Sequence, residues 1–367
     1  MEQQKMTLSQ RSKIFIVLIM LVSQTACSTL PSTRGNWQQD LQEAEKFLGQ
    51  GRYFLAEKKY MAAIKNADAE FGPDNLTTAS ILSDMLPFFR VTGKYTEGIE
   101  KTRRSLSIRE RMLGPDHLDV AKTLNNLSLL YIDQRKYREA EPPAIRALMI
   151  RERVLGSRNI EVAMSLNNLG SIYQDQGRYY EAEQVLQRSL SIHEESLGPE
   201  DTKTAVVVGN LGWVYLFQKK YDEAEKEMLR SLAIREKVLG PQGYDVAFSL
   251  AGLAMVYFDQ KRNKEGEPLY LRAAEIFEKT LGPSHPTMND IFNNAAVIHE
   301  ANKRYDKAEL NYRKLLALRE TLLGPDHPEI LLPLESLSRI LKQTGRETEA
   351  KTLDDRATLI RKKTKGM

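Results

Sequence analysis

His117, His285 and His327 each follow a Leu-Gly-Pro turn, and three histidines are enough in number to ligate a zinc ion. A metal site needs ligands that converge on one ion. Copies of one turn lie a repeat or more apart, so these residues read as positions near helix starts and no metal is expected. His299-Glu300 lacks a second histidine four residues after the first, so the helical zinc-protease motif is missing. No Gly-rich loop ends in Gly-Lys-Ser/Thr, and no Gly-x-Ser-x-Gly elbow occurs, which removes the usual NTPase and serine-hydrolase signatures. Arg109-Glu110, Arg151-Glu152, Arg235-Glu236 and Arg319-Glu320 recur in phase and read as solvated charge. The expectation is a protein without catalytic residues and without a cofactor.

Composition narrows the class. The 367 residues are 41% hydrophobic and 28% charged, enough to bury a core. Net charge is +4, too near neutral for a body that coats nucleic acid. A single cysteine rules out an intrachain disulfide framework. That residue, Cys27, lies just beyond a basic start (Lys5, Arg11, Lys13) and nine consecutive apolar residues, 14–22. Nine are too few to span a bilayer, which takes about 20. A basic start, a short apolar run and small residues make a secretory signal peptide over residues 1–26. Thr25-Ala26-Cys27-Ser28 resembles the bacterial lipoprotein cleavage box, which implies a lipidated Cys27, a membrane tether and, with Ser28 next, the outer membrane of a Gram-negative cell. Gln24 stands where that pattern carries an aliphatic residue. The alternative is ordinary cleavage after Ser28. Residues 27–36 then form a linker and 362–367 a basic tail.

The rest is one repeat. Gly72, Gly114, Gly156, Gly198, Gly240, Gly282 and Gly324 are spaced by 42 without exception. Tyr53, Tyr95, Tyr137, Tyr179, Tyr221 and Tyr305 keep the same phase, and a small residue follows three positions later in every unit, as at Ala140 and Ala182. Within a unit, Ala121, Leu124, Leu127 and Tyr131 form one helical stripe, and Tyr137, Ala140, Ala144, Ala147 and Leu148 form a second. Each unit is therefore two helices, closed by a glycine that tolerates positive φ. Pro286 and Pro328 fit the first turn of a following helix, with Ser284 and Asp326 placed to cap it. Eight pairs fill residues 37–361, the first and last degenerate as terminal repeats require.

This pattern resembles the tetratricopeptide repeat, through Leu127, Ser128, Tyr131, Ala140 and Ala147 and their equivalents Leu169, Gly170, Tyr173, Ala182 and Ser189. The 42-residue length, with Leu124-Asn125-Asn126-Leu127 and Leu113-Gly114-Pro115-Asp116-His117, is similar to the kinesin-light-chain type. The resemblance implies an all-α, right-handed α-solenoid of about eight helix-turn-helix repeats, with the first helices lining a concave groove. The groove stripe is apolar in its middle: Trp213, Phe217, Phe248, Met255 and Phe258 lie opposite the face buried by Leu211, Tyr215, Leu253 and Tyr257. Beside it run Asn126, Asn168, Asn210 and Asn294. The resemblance implies that these amides hold the backbone of an extended peptide; bridging of neighbouring helices is the other use open to them. The expected function is a non-catalytic scaffold of the bacterial cell envelope, exported into the periplasm, that binds a segment of a partner protein. The alternative is an accessory protein that grips cell-wall glycan, since aromatics also stack on sugars and Asp175, Asp259 and Asp290 lie near.

Overall fold

The computed structural model describes residues 36–365. The signal peptide, Cys27 and nearly all of the linker lie outside the described residues. Every regular element within them is helical. The chain divides into two compact units at Gln134/Arg135, each taken by itself below.

The first unit holds α1 (Trp37–Gly49), α2 (Tyr53–Phe71), α3 (Leu76–Asp84), α4 (Leu86–Thr92), α5 (Tyr95–Leu113) and α6 (Leu118–Asp133). The repeat pattern calls for one helix where α3 and α4 stand. Pro87 explains the break, because it has no N–H to give the preceding turn and its ring crowds that turn's carbonyl. Tyr60, Ile64, Leu82, Met85, Phe88 and Phe89 form the core of this unit.

The second unit holds α7 (Tyr137–Leu155), α8 (Ile160–Asp175), α9 (Tyr179–Leu197), α10 (Thr202–Phe217), α11 (Tyr221–Leu239), α12 (Tyr244–Asp259), α13 (Asn263–Leu281), α14 (Met288–Ala301), α15 (Tyr305–Leu323), a 3-10 turn (Pro328–Ile330), α16 (Leu331–Gln343) and α17 (Glu347–Lys365). Helix α17 continues through residues assigned above to a tail, and Lys363 pairs with Asp326. Even-numbered helices from α8 to α16 are first helices of their pairs and pack on the helix that follows. The pairs approach closely where the small residues fall: Ala182, Ala224 and Ala308 are fully buried, and a Cβ on Gly170 would come within 2.5 Å of Leu186.

Turns repeat as faithfully as helices. The first helix of a pair ends on a residue with positive φ, Gly177 at 76° and Lys219 at 62°. After it, the N–H of Arg178 reaches the Tyr173 carbonyl at 2.8 Å and that of Lys220 the Tyr215 carbonyl at 2.9 Å, which closes the helix end. The second helix ends at a glycine such as Gly156, with φ 84° and ψ 155°, a region open to glycine and hardly to other residues. The next helix is capped from one position in most repeats, Gly243 before α12 being an exception. Asn159 accepts from Glu161 N at 2.9 Å, Asp201 from Lys203 N at 2.7 Å, and His117 Nδ1 from Asp119 N at 3.1 Å. His285 and His327 do the same for Thr287 and Glu329. This corrects the expected caps: Ser284 and Asp326 lie one residue too early, and the histidine takes the role.

The phased arginines also differ from expectation. Arg109, Arg151 and Arg235 are buried, at 3%, 8% and 4% exposure, and are not solvated. Each points under the next first helix. Arg235 donates to the Ser249 hydroxyl at 2.6 Å and the Asp245 carbonyl at 3.1 Å, and Arg151 to Ser165 at 2.6 Å. Burial lowers the pKa of all three guanidiniums, and these acceptors offset part of that cost.

Candidate functional site

In the second unit, apolar-stripe rings of the first helices α10 and α12 join Tyr179 of the second helix α9 in a continuous line. Tyr179, at the start of α9, stacks on Phe217 with centroids 5.3 Å apart. Phe217 stacks on Trp213 at 6.1 Å, one turn back along α10, and Trp213 meets Phe248 of α12 at 6.0 Å. Phe217 is 46% exposed and Phe248 41%, high values for large apolar side chains on an ordered helix. The opposite sides of α10 and α12 are occupied, with Leu211 and Leu253 at 2% exposure.

Trp213 lies over Gly252, where a Cβ would come 3.3 Å from its ring and 2.8 Å from Met228. The asparagine ladder is interrupted at this point because Trp213 and Met228 fill the space a side chain would need. The Trp213 indole Nε1–H is buried and has no hydrogen-bond partner. Met255 is partly buried against the core of the unit, beside the rings.

Phe258 does not join the line. It turns to its own pair, 6.3 Å from Tyr270 and against Gly266, whose missing side chain makes the room. Leu216, next to Phe217 on α10, is buried, at 4% exposure. Tyr179 was not among the expected groove residues. As a phase-keeping tyrosine it reads as structural, and only its stacking on a residue 38 positions later places it here.

The asparagines divide. Asn126 of the first unit is buried and donates to the Ser83 carbonyl at 3.2 Å. In the second unit Asn210 donates to Asn167 Oδ1 at 2.9 Å, and Asn294 to the Tyr270 hydroxyl at 3.1 Å. These three amides hold neighbouring helices together. Asn168 lines a cavity of about 170 Å3 between α8 and α10, with Asn167, Lys203 and His193. His193 takes the place that Arg151 and Arg235 hold in flanking repeats, and the shorter side chain leaves the space. Its Nδ1 lies 2.9 Å from the Ser189 carbonyl and so carries the proton. Cys27 lies outside the described residues. Among the described residues no group of three or more His, Cys, Asp or Glu is placed to hold a metal ion, and no helix is long and apolar enough to cross a membrane.

Helix pairs on a fixed period, small residues at each crossing and a face of first helices define a helical-repeat protein. Tetratricopeptide repeat models match residues 88–153, 161–237, 216–265 and 287–363, and a second model of the same repeat matches 246–287, so the chain belongs to the tetratricopeptide repeat family. Solved structures similar to it include the apo form of the quorum sensor NprR from B. thuringiensis, with 13% identity over 96% of this chain and 93% of that one and a TM-score of 0.61. The apo form of RapI has 15% identity over 78% and 98%, with a TM-score of 0.61. BtubC (BKLC) from P. vanneervenii has 21% identity over 64% and 92%, with a TM-score of 0.50. At these identities the likeness is one of fold. No curated protein sequence matches the chain.

Proposed function

We propose that this protein is a non-catalytic scaffold of the bacterial cell envelope, tethered by lipid on Cys27, that binds an extended apolar-aromatic segment of a partner protein on the first helices of its second unit. The observation that carries the reading is the ring line Tyr179, Phe217, Trp213 and Phe248, in which Phe217 and Phe248 stand exposed on helices whose other faces are already buried. Large aromatics left half in water on a rigid face are the usual anchors of protein interfaces, and each costs on the order of 2 kcal/mol of binding when truncated. Asn126, Asn210 and Asn294 are engaged within the protein, so the rings carry the affinity in this reading.

The test compares wild type with Trp213→Ala and Phe248→Ala, each first checked for unchanged helicity by circular dichroism. Both should lose most retention of membrane-protein extract and leave retention on cell-wall sacculi unchanged. Binding to sacculi that depends on Trp213 would favour the glycan alternative, and full retention by both variants would end the groove reading. Replacing Cys27 with Ser should move the protein from the membrane to the soluble fraction; a wild type that is already soluble refutes the tether. A single acyl chain would bind only marginally, so stable retention points to more than one.

A further inference from the structure

The second unit repeats a three-part contact. After a first helix, an arginine folds back over that helix's tyrosine and is gripped by two glutamates. Arg262 lies 4.2 Å from the centre of the Tyr257 ring, bonds Glu225 at 2.7 Å, and presents Nε and Nη2 to Glu265 at 2.8 and 2.7 Å. Arg178 does the same with Tyr173, Glu141 and Glu181. Arg346 keeps both glutamates, Glu309 and Glu349.

One repeat breaks the pattern twice. At 42 residues from Tyr257 stands His299, and at 42 residues from Glu265 stands Lys307. Arg304 has therefore lost its ring and the carboxylate that would take its Nε–H, and a lysine replaces that carboxylate. Its remaining glutamate, Glu267, is 3.5 Å from Nη2. Arg304 Nε and His299 Nδ1 are both buried without a hydrogen-bond partner, and His299 is only 8% exposed. The space vacated by the tyrosine belongs to a cavity of about 280 Å3 between α13, α14 and α15, which His299, Arg304 and Lys307 line. Leu271, Phe292 and Leu310 give it an apolar patch, and Glu275 and Asn311 also line it. Lys314 at its edge is neutralised by Glu278 at 2.6 Å.

The site thus lacks a carboxylate that both neighbouring repeats supply and a ring that the preceding repeat supplies, and retains the arginine that would hold them. We propose that it binds a small apolar carboxylic acid. The head group takes the place of the missing glutamate on the Nε side of Arg304, with Lys307 adding charge and His299 a hydrogen bond. The hydrocarbon rests on Leu271, Phe292 and Leu310. A cavity near 150 Å3 holds one benzene, so about twice that volume accepts a ring with a short acid chain. A carboxylate on a guanidinium makes the stronger, charge-assisted kind of hydrogen bond, which selects the acid over its amide.

The probes are 3-phenylpropionate, hexanoate and the neutral 3-phenylpropionamide, titrated into the full chain by calorimetry. At least one acid should bind with a dissociation constant of about 1 mM or tighter, and the amide at least about tenfold more weakly. Lys307→Glu returns the missing partner to Arg304 from an exposed position, and should weaken acid binding at least about tenfold with helicity unchanged. His299→Tyr should abolish it by filling the cavity. The proposal is overturned if neither acid binds at about 5 mM, if acid and amide bind alike, or if Lys307→Glu leaves the affinity unchanged.

Discussion

Arg262 and Arg304 hold the same place in consecutive repeats and live in opposite circumstances. Arg262 is stacked on a tyrosine and bonded by two glutamates, and hydrogen bonds to Glu265 and then Glu225 raise its pKa above the ordinary value. Arg304 has a histidine beneath it, a lysine where Glu265 would be, and a buried Nε without a partner. The helix pairs around the two keep the same phase, except that α14 begins two residues later than α12 does in its repeat. A repeat array contacts mainly its neighbours, so one unit can give up a local contact without unfolding the rest. Two substitutions are enough to turn a clasp into a cavity.

Converting the closed repeat into the open one should have the largest effect. Tyr257→His removes a buried ring, the Tyr257–Glu225 hydrogen bond at 2.9 Å and the stack under Arg262. Large-to-small changes at buried positions cost about 2–4 kcal/mol, and a chemical-melting midpoint well below wild type is expected. An unchanged midpoint would mean that the clasp does not hold the repeat together.

The reverse change should act more weakly and in the other direction. His299→Tyr should raise stability by about 1 kcal/mol as the ring fills the cavity and Arg304 gains a stack. It should also alter the pH dependence. Burial, with Arg304 and Lys307 adding to it, lowers the His299 pKa below its ordinary 6.5. The unfolded chain therefore takes up this proton first. The histidine costs no stability above pH 6.5, and wild type loses stability progressively as pH falls below it. His299→Tyr should flatten that loss; melts at several pH values between about 5 and 8 measure it. The smallest effect is expected from Lys307→Glu, an exposed ion pair with Arg304 that should raise Tm by no more than about 2–3 °C. A larger rise would show that Arg304 is strained without its partner.

The period itself was open to inspection. Glycines spaced by 42, phased tyrosines and small residues placed the helix pairs and their crossings, because each obeys a local rule of backbone conformation or close approach. The break between α3 and α4 was legible in Pro87 but masked by the regularity around it. The buried arginines were not legible. Arg-Glu on a helix surface and arginine tucked under the next repeat have the same sequence, and only the hydroxyls of Ser165 and Ser249, 14 residues on, distinguish them. In the candidate site, periodicity put Trp213, Phe217 and Phe248 on the exposed side. It failed for Phe258, whose direction depends on the absent side chain at Gly266, and it passed over Tyr179, which needs Phe217 to give it a role.

The sequence alone therefore determined the fold class, the 42-residue unit, the two-helix composition of each repeat and the positions of its turns, since these follow from helical periodicity, glycine at positive φ and small residues within one unit. Tertiary structure alone decided which equivalent positions are filled and which are open: the line from Tyr179 to Phe248, the cavity left beside His193, and the unpartnered Arg304 above His299. The physical reason is that a cavity or a free donor belongs to no single residue. It arises where neighbouring helices fail to supply the atoms that the same position receives one repeat away.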